Sequence, residues 1–349
     1  MLRGKEERFH GDEKNVHAIF TRMVVALREA FVAEDGQVGD LFALDNANIT
    51  MEADWTVRNK VCIVTGGNSG IGKEVAAGLA AEGAHVLIGC RDQDKCEIAK
   101  RDILSRFHPG VGISGSCTVT CLPLDLSSME SIDTFVDNVR RDSGRCAVLV
   151  NNAGVMGLHS SGSEATQDPH FVTNHVGTFR LTEQLLTRTQ FAEESRVVTV
   201  GSRAHHQGSI SIENGRVAGC PKNWYGAYAR SKLANCLFTR ELQRRQNAEG
   251  RHLDAFTVSP GRVNTSIFSN IRPKFVRWVA TSLAARVFQT PEQGAQTVLY
   301  AATSPTLTGR GGLYLHNCAV ARTSRRAQDD DVARALWEAT EHLIHGESK

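Results

Sequence analysis

"VCIVTGGNSGIG", residues 61–72, is an apolar run that ends in a glycine-rich turn. Residues 61–65 lack the polar alternation of a strand with one wet face, so they predict a strand covered on both sides. An amphipathic stretch near 71–82 follows at once, so "TGGNSGIG" (65–72) joins a first strand to a first helix. A glycine-rich turn in that position has a use. Gly66 permits the tight turn, Gly70 lets a pyrophosphate approach the backbone, and Gly72 lets helix and strand pack closely. Amides at the helix start then face the phosphates. The stretch predicts a dinucleotide site at the head of an alternating α/β chain.

Outward from it the alternation continues. "HVLIGC" (85–90), "CTVTCLPL" (117–124), "AVLVN" (147–151), "RVVTVG" (196–201), "DAFTVS" (254–259) and "GLYLH" (312–316) are further strand candidates. Helical candidates separate them near 92–107, 128–141, 166–190, 226–246 and 291–302. Such a chain predicts an α/β fold: a Rossmann-type, doubly wound parallel sheet of about seven strands, with helices on both faces and right-handed crossovers. Three segments follow: an extension at 1–56, a dinucleotide-binding domain at 57–318, and a tail at 319–349 that is polar before a last short helix.

The extension carries Val16, Ile19, Phe20, Met23, Val24, Leu27 and Phe31 at helical spacing, which predicts an amphipathic helix over roughly 13–34. Residues 1–50 hold no serine and six Lys/Arg against nine Asp/Glu, unlike a transit peptide. Packing on the main domain or on a partner is expected, ahead of a membrane surface.

Composition narrows the function. A formal net charge of +2 argues against a nucleic-acid binder, and no apolar run approaches the ~18 residues that span a bilayer. The nine scattered cysteines, without a Cys-x-x-Cys pair, fit unpaired thiols in a reducing, cytoplasmic setting. Strand burial accounts for Cys117 and Cys121, and no metal site is expected. Adjacent His205 and His206 are read as loop structure or substrate contacts for the same reason.

Two sites of chemistry stand out. At the end of the second strand, an acid holds a ribose 2′-hydroxyl and an arginine accommodates a 2′-phosphate. Here Arg91 follows the strand and Asp92 is placed to cap the next helix, so NADP (NADPH) is the expected cofactor, with Lys73 a weaker phosphate partner. "YARSK" (228–232) puts a phenol and an ammonium four residues apart, on one face of a helix. A nearby cation favours the phenolate, which turns Tyr228 into an acid/base. Tyr225 has Ala229 four places on and lacks the cation.

These landmarks in this order resemble the short-chain dehydrogenase/reductase family. The matches are "TGGNSGIG" (65–72), "LDLSS" (124–128), "NNAG" (151–154), "NHVG" (174–177), "VGSRA" (200–204), "YARSK" (228–232) and "SPGRVNT" (259–265). "GCRD", "NHVGTF", "RAHHQG" and "YARSKLANCLFTRELQRR" are most similar to the branch of retinol dehydrogenases and the WW-domain oxidoreductase, here without a WW domain or the N-terminal anchor many retinol dehydrogenases carry.

The resemblance implies roles. Asn174, Ser202, Tyr228 and Lys232 would be catalytic. Thr65, Gly66, Asn68, Ser69, Gly70, Ile71 and Gly72 would form the cofactor loop, with Arg91 behind it. Asp125 and Leu126 would sit at the adenine, and Asn151, Asn152, Ala153 and Gly154 would line the cleft. Tyr228 and Lys232 would also touch the cofactor, and Pro260, Gly261, Val263 and Thr265 would flank the nicotinamide. Ser202 and Tyr228 are 26 residues apart (228 − 202), longer than the family's usual spacing, which implies an extended substrate-side loop. Gly201 stands where the branch usually has serine. The implied function is NADP-dependent hydride transfer between nicotinamide and a lipophilic carbonyl or alcohol, retinoid-, steroid- or lipid-aldehyde-like. The expected partner is that small molecule, with homo-oligomerisation and peripheral membrane association left open. The alternative is a cofactor-binding interaction protein with little turnover.

Overall fold

The computed structural model describes residues 55–107, 117–142, 144–159, 164–188, 191–261 and 289–346. The expected helix at 13–34 and the sites Val263 and Thr265 lie outside them. Strand β1 (Val61–Thr65) leads into α1 (Gly70–Ala81), β2 (His85–Cys90), α2 (Gln93–Ser105), β3 (Thr118–Pro123), α3 (Met129–Asp142) and β4 (Cys146–Asn151). After α4 (Gly177–Arg188) come β5 (Phe191–Val200), the short strands β6 (Ile212–Glu213) and β7 (Arg216–Val217), α5 (Trp224–Ala248) and β8 (Leu253–Ser259). The described chain ends with α6 (Pro291–Thr303), β9 (Tyr314–His316), β10 (Ala319–Val320) and α7 (Asp330–His345).

The main sheet has the order β10-β9-β8-β5-β4-β1-β2-β3. Every pair in it is parallel except β9–β10. The order reverses beside β1, so the carboxyl ends of β1 and β4 border the crevice where α/β sheets bind ligands. The unbroken apolar runs follow from burial on two faces. Cys62 and Val64 enter a core with Val75 and Leu79 of α1 and Val298 of α6. Ile63 points the other way, into a core with Ile132 and Phe135 of α3, Phe179 of α4 and Phe238 of α5.

Four features depart from the sequence reading. The eighth strand, β10, follows a two-residue turn in which Asn317 and Cys318 have φ of 50° and 56°, the geometry that lets a tight hairpin twist with its strands. The long loop after Ser202 is partly ordered as the β6–β7 hairpin, turned at Asn214 and Gly215 with φ of 53° and 72°. Asn-Gly between Ile212 and Val217 is a sequence signal for such a hairpin. Helix α4 is preceded by an α-turn at Pro169–Phe171 and a π-helical turn at Val172–Val176, where the sequence predicts one continuous helix. The cysteines are not all unpaired: Cys96 of α2 and Cys121 of β3 form a disulfide. Packing of α2 over β3 brings that pair together across 25 residues of sequence, which spacing alone does not reveal.

The segment from Ala319 onward is more than a surface tail. Ala327, Ala333, Leu336, Trp337 and Ala339 are buried, and Trp337 stacks on Phe238 with ring centroids 5.7 Å apart. Its apolar residues recur at helical spacing, so they complete the core over α5. Among the described residues no helix is long and apolar enough to cross a membrane.

Candidate active site

The glycine turn is built around Thr65. Its hydroxyl accepts from the amides of Asn152 (3.0 Å) and Ala153 (2.9 Å), which ties "TGG" to "NNAG". The Asn152 side chain returns the tie by donating to the Thr65 carbonyl at 2.8 Å. Gly66 has a φ of 66°, and a Cβ on Gly72 would stand 2.5 Å from the Gly66 oxygen. Both positions therefore exclude a side chain for stated reasons, one conformational and one steric. Helices α2, α5, α6 and α7 each begin on a side-chain cap, whereas Ser69 makes no such bond at the start of α1. Glycine cradle and uncapped amides together fit the pyrophosphate of a dinucleotide. Asn68, Ser69 and Ile71 lie on the same turn and first helical residues.

Arg91 is exposed directly after β2. Asp92 caps α2, accepting from the Lys95 amide at 3.0 Å and its ammonium at 2.6 Å. Lys73 is drawn away to Asp102 at 2.9 Å. Burial opposes the charge on Asp125, but bonds from the Ser127 hydroxyl and amide, with Arg91 nearby, hold its carboxyl below the ordinary value. Leu126 is buried, with its carbonyl packed closely against Gly177 at the start of α4. Asn151 is also buried and donates to the Thr182 hydroxyl at 3.0 Å.

Four side chains named from sequence converge at the carboxyl ends of β4 and β5. Tyr228 and Lys232 lie on one buried face of α5, 8% and 4% exposed, and Asn223 caps that helix. The Lys232 ammonium donates to the Val200 carbonyl at 2.8 Å and stands 5.7 Å from the Tyr228 ring centre. Ser202 stands near enough to the Tyr228 phenol to oppose part of the upward shift that burial imposes on it. Asn174 sits in the π-helical turn, where its Oδ1 accepts from the Val155 amide (2.7 Å) and its Nδ2 donates to the Val155 carbonyl (3.0 Å). It thus holds the loop after β4 by both backbone groups of one residue. Gly154 lies between Asn174 and Lys232. Pro260 and Gly261 close the site after β8, Gly261 with a φ of 82°.

A buried ionic cluster beside this site escaped the sequence reading. Asp168, His170 and Arg230 are all buried. Asp168 accepts from His170 Nδ1 at 3.0 Å and from Arg230 at 2.8 Å. His170 Nε2 accepts from the Leu158 amide at 3.3 Å, and Arg230 donates also to the Gly219 carbonyl at 2.6 Å. Burial penalises the Asp168 charge, yet these donors outweigh it and lower its pKa. The segments after β4 and after β7 are thereby pinned to one carboxylate. Asp168 before Pro169 signals a helix start, and Arg230 lies 62 residues away, so the pairing itself left no sequence signal.

Burial dominates the titration of the phenol–ammonium pair. It pushes Tyr228 up to about 12, with nearby Ser202 partly offsetting, and pulls Lys232 down to about 8 from 10.5. In the chain itself, burial therefore outweighs the lowering of Tyr228 expected from the cation. A stability effect follows for Lys232. Between pH 8 and 10.5 the unfolded lysine binds more proton than the folded one, so its penalty is full below pH 8 and fades as pH rises. The stability difference between Lys232→Met and the wild type should shift toward the wild type by up to about 3 kcal/mol from pH 7 to pH 10. Urea denaturation at the two pH values reads it, and a difference independent of pH would contradict the assignment.

Comparison with known proteins agrees with this geometry. The short chain dehydrogenase family model matches residues 60–275. Retinol dehydrogenase 11 of Homo sapiens is 37% identical over 288 residues, covering 82% of this chain and 86% of that protein. The WW domain-containing oxidoreductase of Gallus gallus is 35% identical over 295 residues, covering 82% and 68%. A crystal structure of an uncharacterized protein from Mycobacterium Paratuberculosis superposes with a TM-score of 0.63 at 33% identity, covering 84% and 96%. The parallel sheet, the glycine turn and these matches lead to one assignment: the chain is an oxidoreductase of the short chain dehydrogenase family, in its retinol dehydrogenase-like branch.

Proposed function

We propose that the protein is an NADP-dependent oxidoreductase that moves a hydride between nicotinamide and the carbonyl or alcohol of a lipophilic small molecule. One observation carries the cofactor choice. Asp92, the acid that could hold a 2′-hydroxyl, is committed to capping α2, while Arg91 is exposed at the end of β2. The apolar substrate class is supported by relatives whose names specify retinol.

When bound, the nicotinamide supplies or accepts the hydride, and its oxidised form is cationic. The turn from Thr65 to Gly72 and the first amides of α1 would hold the pyrophosphate, with Asp125 and Leu126 toward the adenine. Ala153, Gly154, Pro260 and Gly261 would border the nicotinamide. Tyr228 would protonate the carbonyl oxygen in reduction and take the proton back in oxidation. Ser202 would donate to the same oxygen and fix its position. Lys232 would stabilise the phenolate by charge, and Asn174 would keep the Val155 loop against the site.

The selector is tested by Arg91→Asp, which removes a phosphate partner and adds a like charge. The NADPH dissociation constant should rise by about 100-fold or more, at roughly 1–3 kcal/mol for each charge-assisted hydrogen bond removed, with little change for NADH. Calorimetric titration of both cofactors measures it. Equal losses for the two would remove Arg91 from the role. A turnover screen with NADPH across aldehydes and ketones separates the enzyme from an interaction protein with little turnover.

A further inference from the structure

The "AHH" stretch after Ser202 is not absorbed by the reaction above, yet His205 is wholly buried beside it. Both of its ring nitrogens are committed. The Ser324 amide can only donate, so Nε2 accepts from it at 3.1 Å and Nδ1 must carry the proton. That proton goes to the Ser202 carbonyl at 2.7 Å, which also accepts the backbone amide of His205 at 3.1 Å. The Ser202 hydroxyl meanwhile accepts from the Ala204 amide at 3.2 Å, capping a short 3₁₀ turn at Arg203–Gln207. One residue beyond that turn, the Gly208 carbonyl accepts from Arg326 at 2.8 Å. The turn behind Ser202 is therefore gripped at both ends by residues 324–326. Tyr314 packs against the imidazole edge with ring centroids 5.1 Å apart, which fixes the ring plane. Residues 324–326 lie beyond the stretch matched by the family model.

We propose that His205 is a positioning residue through which the C-terminal segment, residues 324–326, holds Ser202 in place for proton transfer. The inference rests on the reading of Ser202 as a catalytic group. Burial, which lowers the imidazole pKa to about 4, keeps the ring in the single-proton form that the two bonds require. Loosening Ser202 should leave cofactor affinity unchanged, because the glycine turn and Arg91 stand on other strands. Misplacement of a reacting group by about 1 Å can cost up to about 100-fold in rate.

Five variants of the whole chain test it, with NADPH and retinaldehyde, or the best carbonyl of the screen above, as probe. His205→Phe keeps an aromatic ring and removes both bonds. Its kcat should fall by about 10- to 100-fold, with the NADPH dissociation constant unchanged. Ser324→Pro removes the donating amide together with the capping hydroxyl, at a residue whose φ of −63° proline can adopt, and should lower kcat in the same direction. Ser324→Ala, which keeps the amide, sets the cost of losing that residue's own helix cap. In a Ser202→Ala background, His205→Phe should add no further loss, since it acts through the absent hydroxyl. If Ser202→Ala is inactive while His205→Phe and Ser324→Pro keep the wild-type kcat, the inference falls and the reading of Ser202 stands. Additive losses in the double variant would also overturn it. Full activity of Ser202→Ala would remove the catalytic reading itself.

Discussion

Replacing Tyr228 by Phe is expected to lower kcat by about 10²- to 10⁴-fold, the range of a lost general acid–base. The phenol lies on α5 with Ser202 nearby and Lys232 one turn away. Deleting one oxygen removes the proton donor while leaving a ring of nearly the same volume. Tyr228 is buried, so a larger change would confound lost chemistry with lost packing. Cofactor affinity should be nearly unchanged, because the glycine turn, Arg91 and Asp125 are untouched. Steady-state turnover paired with an NADPH titration separates the two effects. Substantial residual turnover in the variant would transfer the proton-transfer role to another group.

The second large effect concerns stability. Asp168→Ala should destabilise the fold by about 3–5 kcal/mol, the cost of leaving one partner of a buried ion pair uncompensated. Arg230 is 3% exposed and the aspartate fully buried, so neither charge has water to fall back on. The same change frees His170 Nδ1 and the His170 backbone amide, which Asp168 also accepts at 3.0 Å. Neutralising both sides, as in Asp168→Asn with Arg230→Met, should cost much less than the sum of the single changes. Chemical denaturation of the four proteins closes the cycle. Simple additivity would mean that the pair is not coupled as its 2.8 Å separation implies.

Much of the site is legible in the sequence alone. Strand burial on two faces removes polar alternation, so Val61–Thr65 and Cys146–Asn151 announce themselves as runs. Local rules of turn and cap fixed Gly66, Gly70, Gly72 and Asp92, because each acts within a few residues of itself. The spacing of Tyr228 and Lys232 is likewise a property of one helix. Asn214–Gly215 carried an equally local signal for the hairpin, one the long spacing from Ser202 to Tyr228 hid in the word loop.

What remained hidden depends on elements distant in sequence. Cys96 meets Cys121 only because α2 packs over β3. Asp168 finds Arg230 only once the turn before α4 lies against α5, and the resulting ion pair is then sealed from water. His205 gains its second partner from Ser324, 119 residues later, just before the turn that precedes α7. Periodicity and turn chemistry determined the alternating α/β fold, the dinucleotide turn and the phenol–ammonium pair, since each follows from backbone geometry over a few residues. Tertiary packing decided which buried polar groups share a proton or a charge, and it set the pKa of Tyr228 and Lys232 through burial. That effect depends on everything surrounding the pair and on nothing in its spacing.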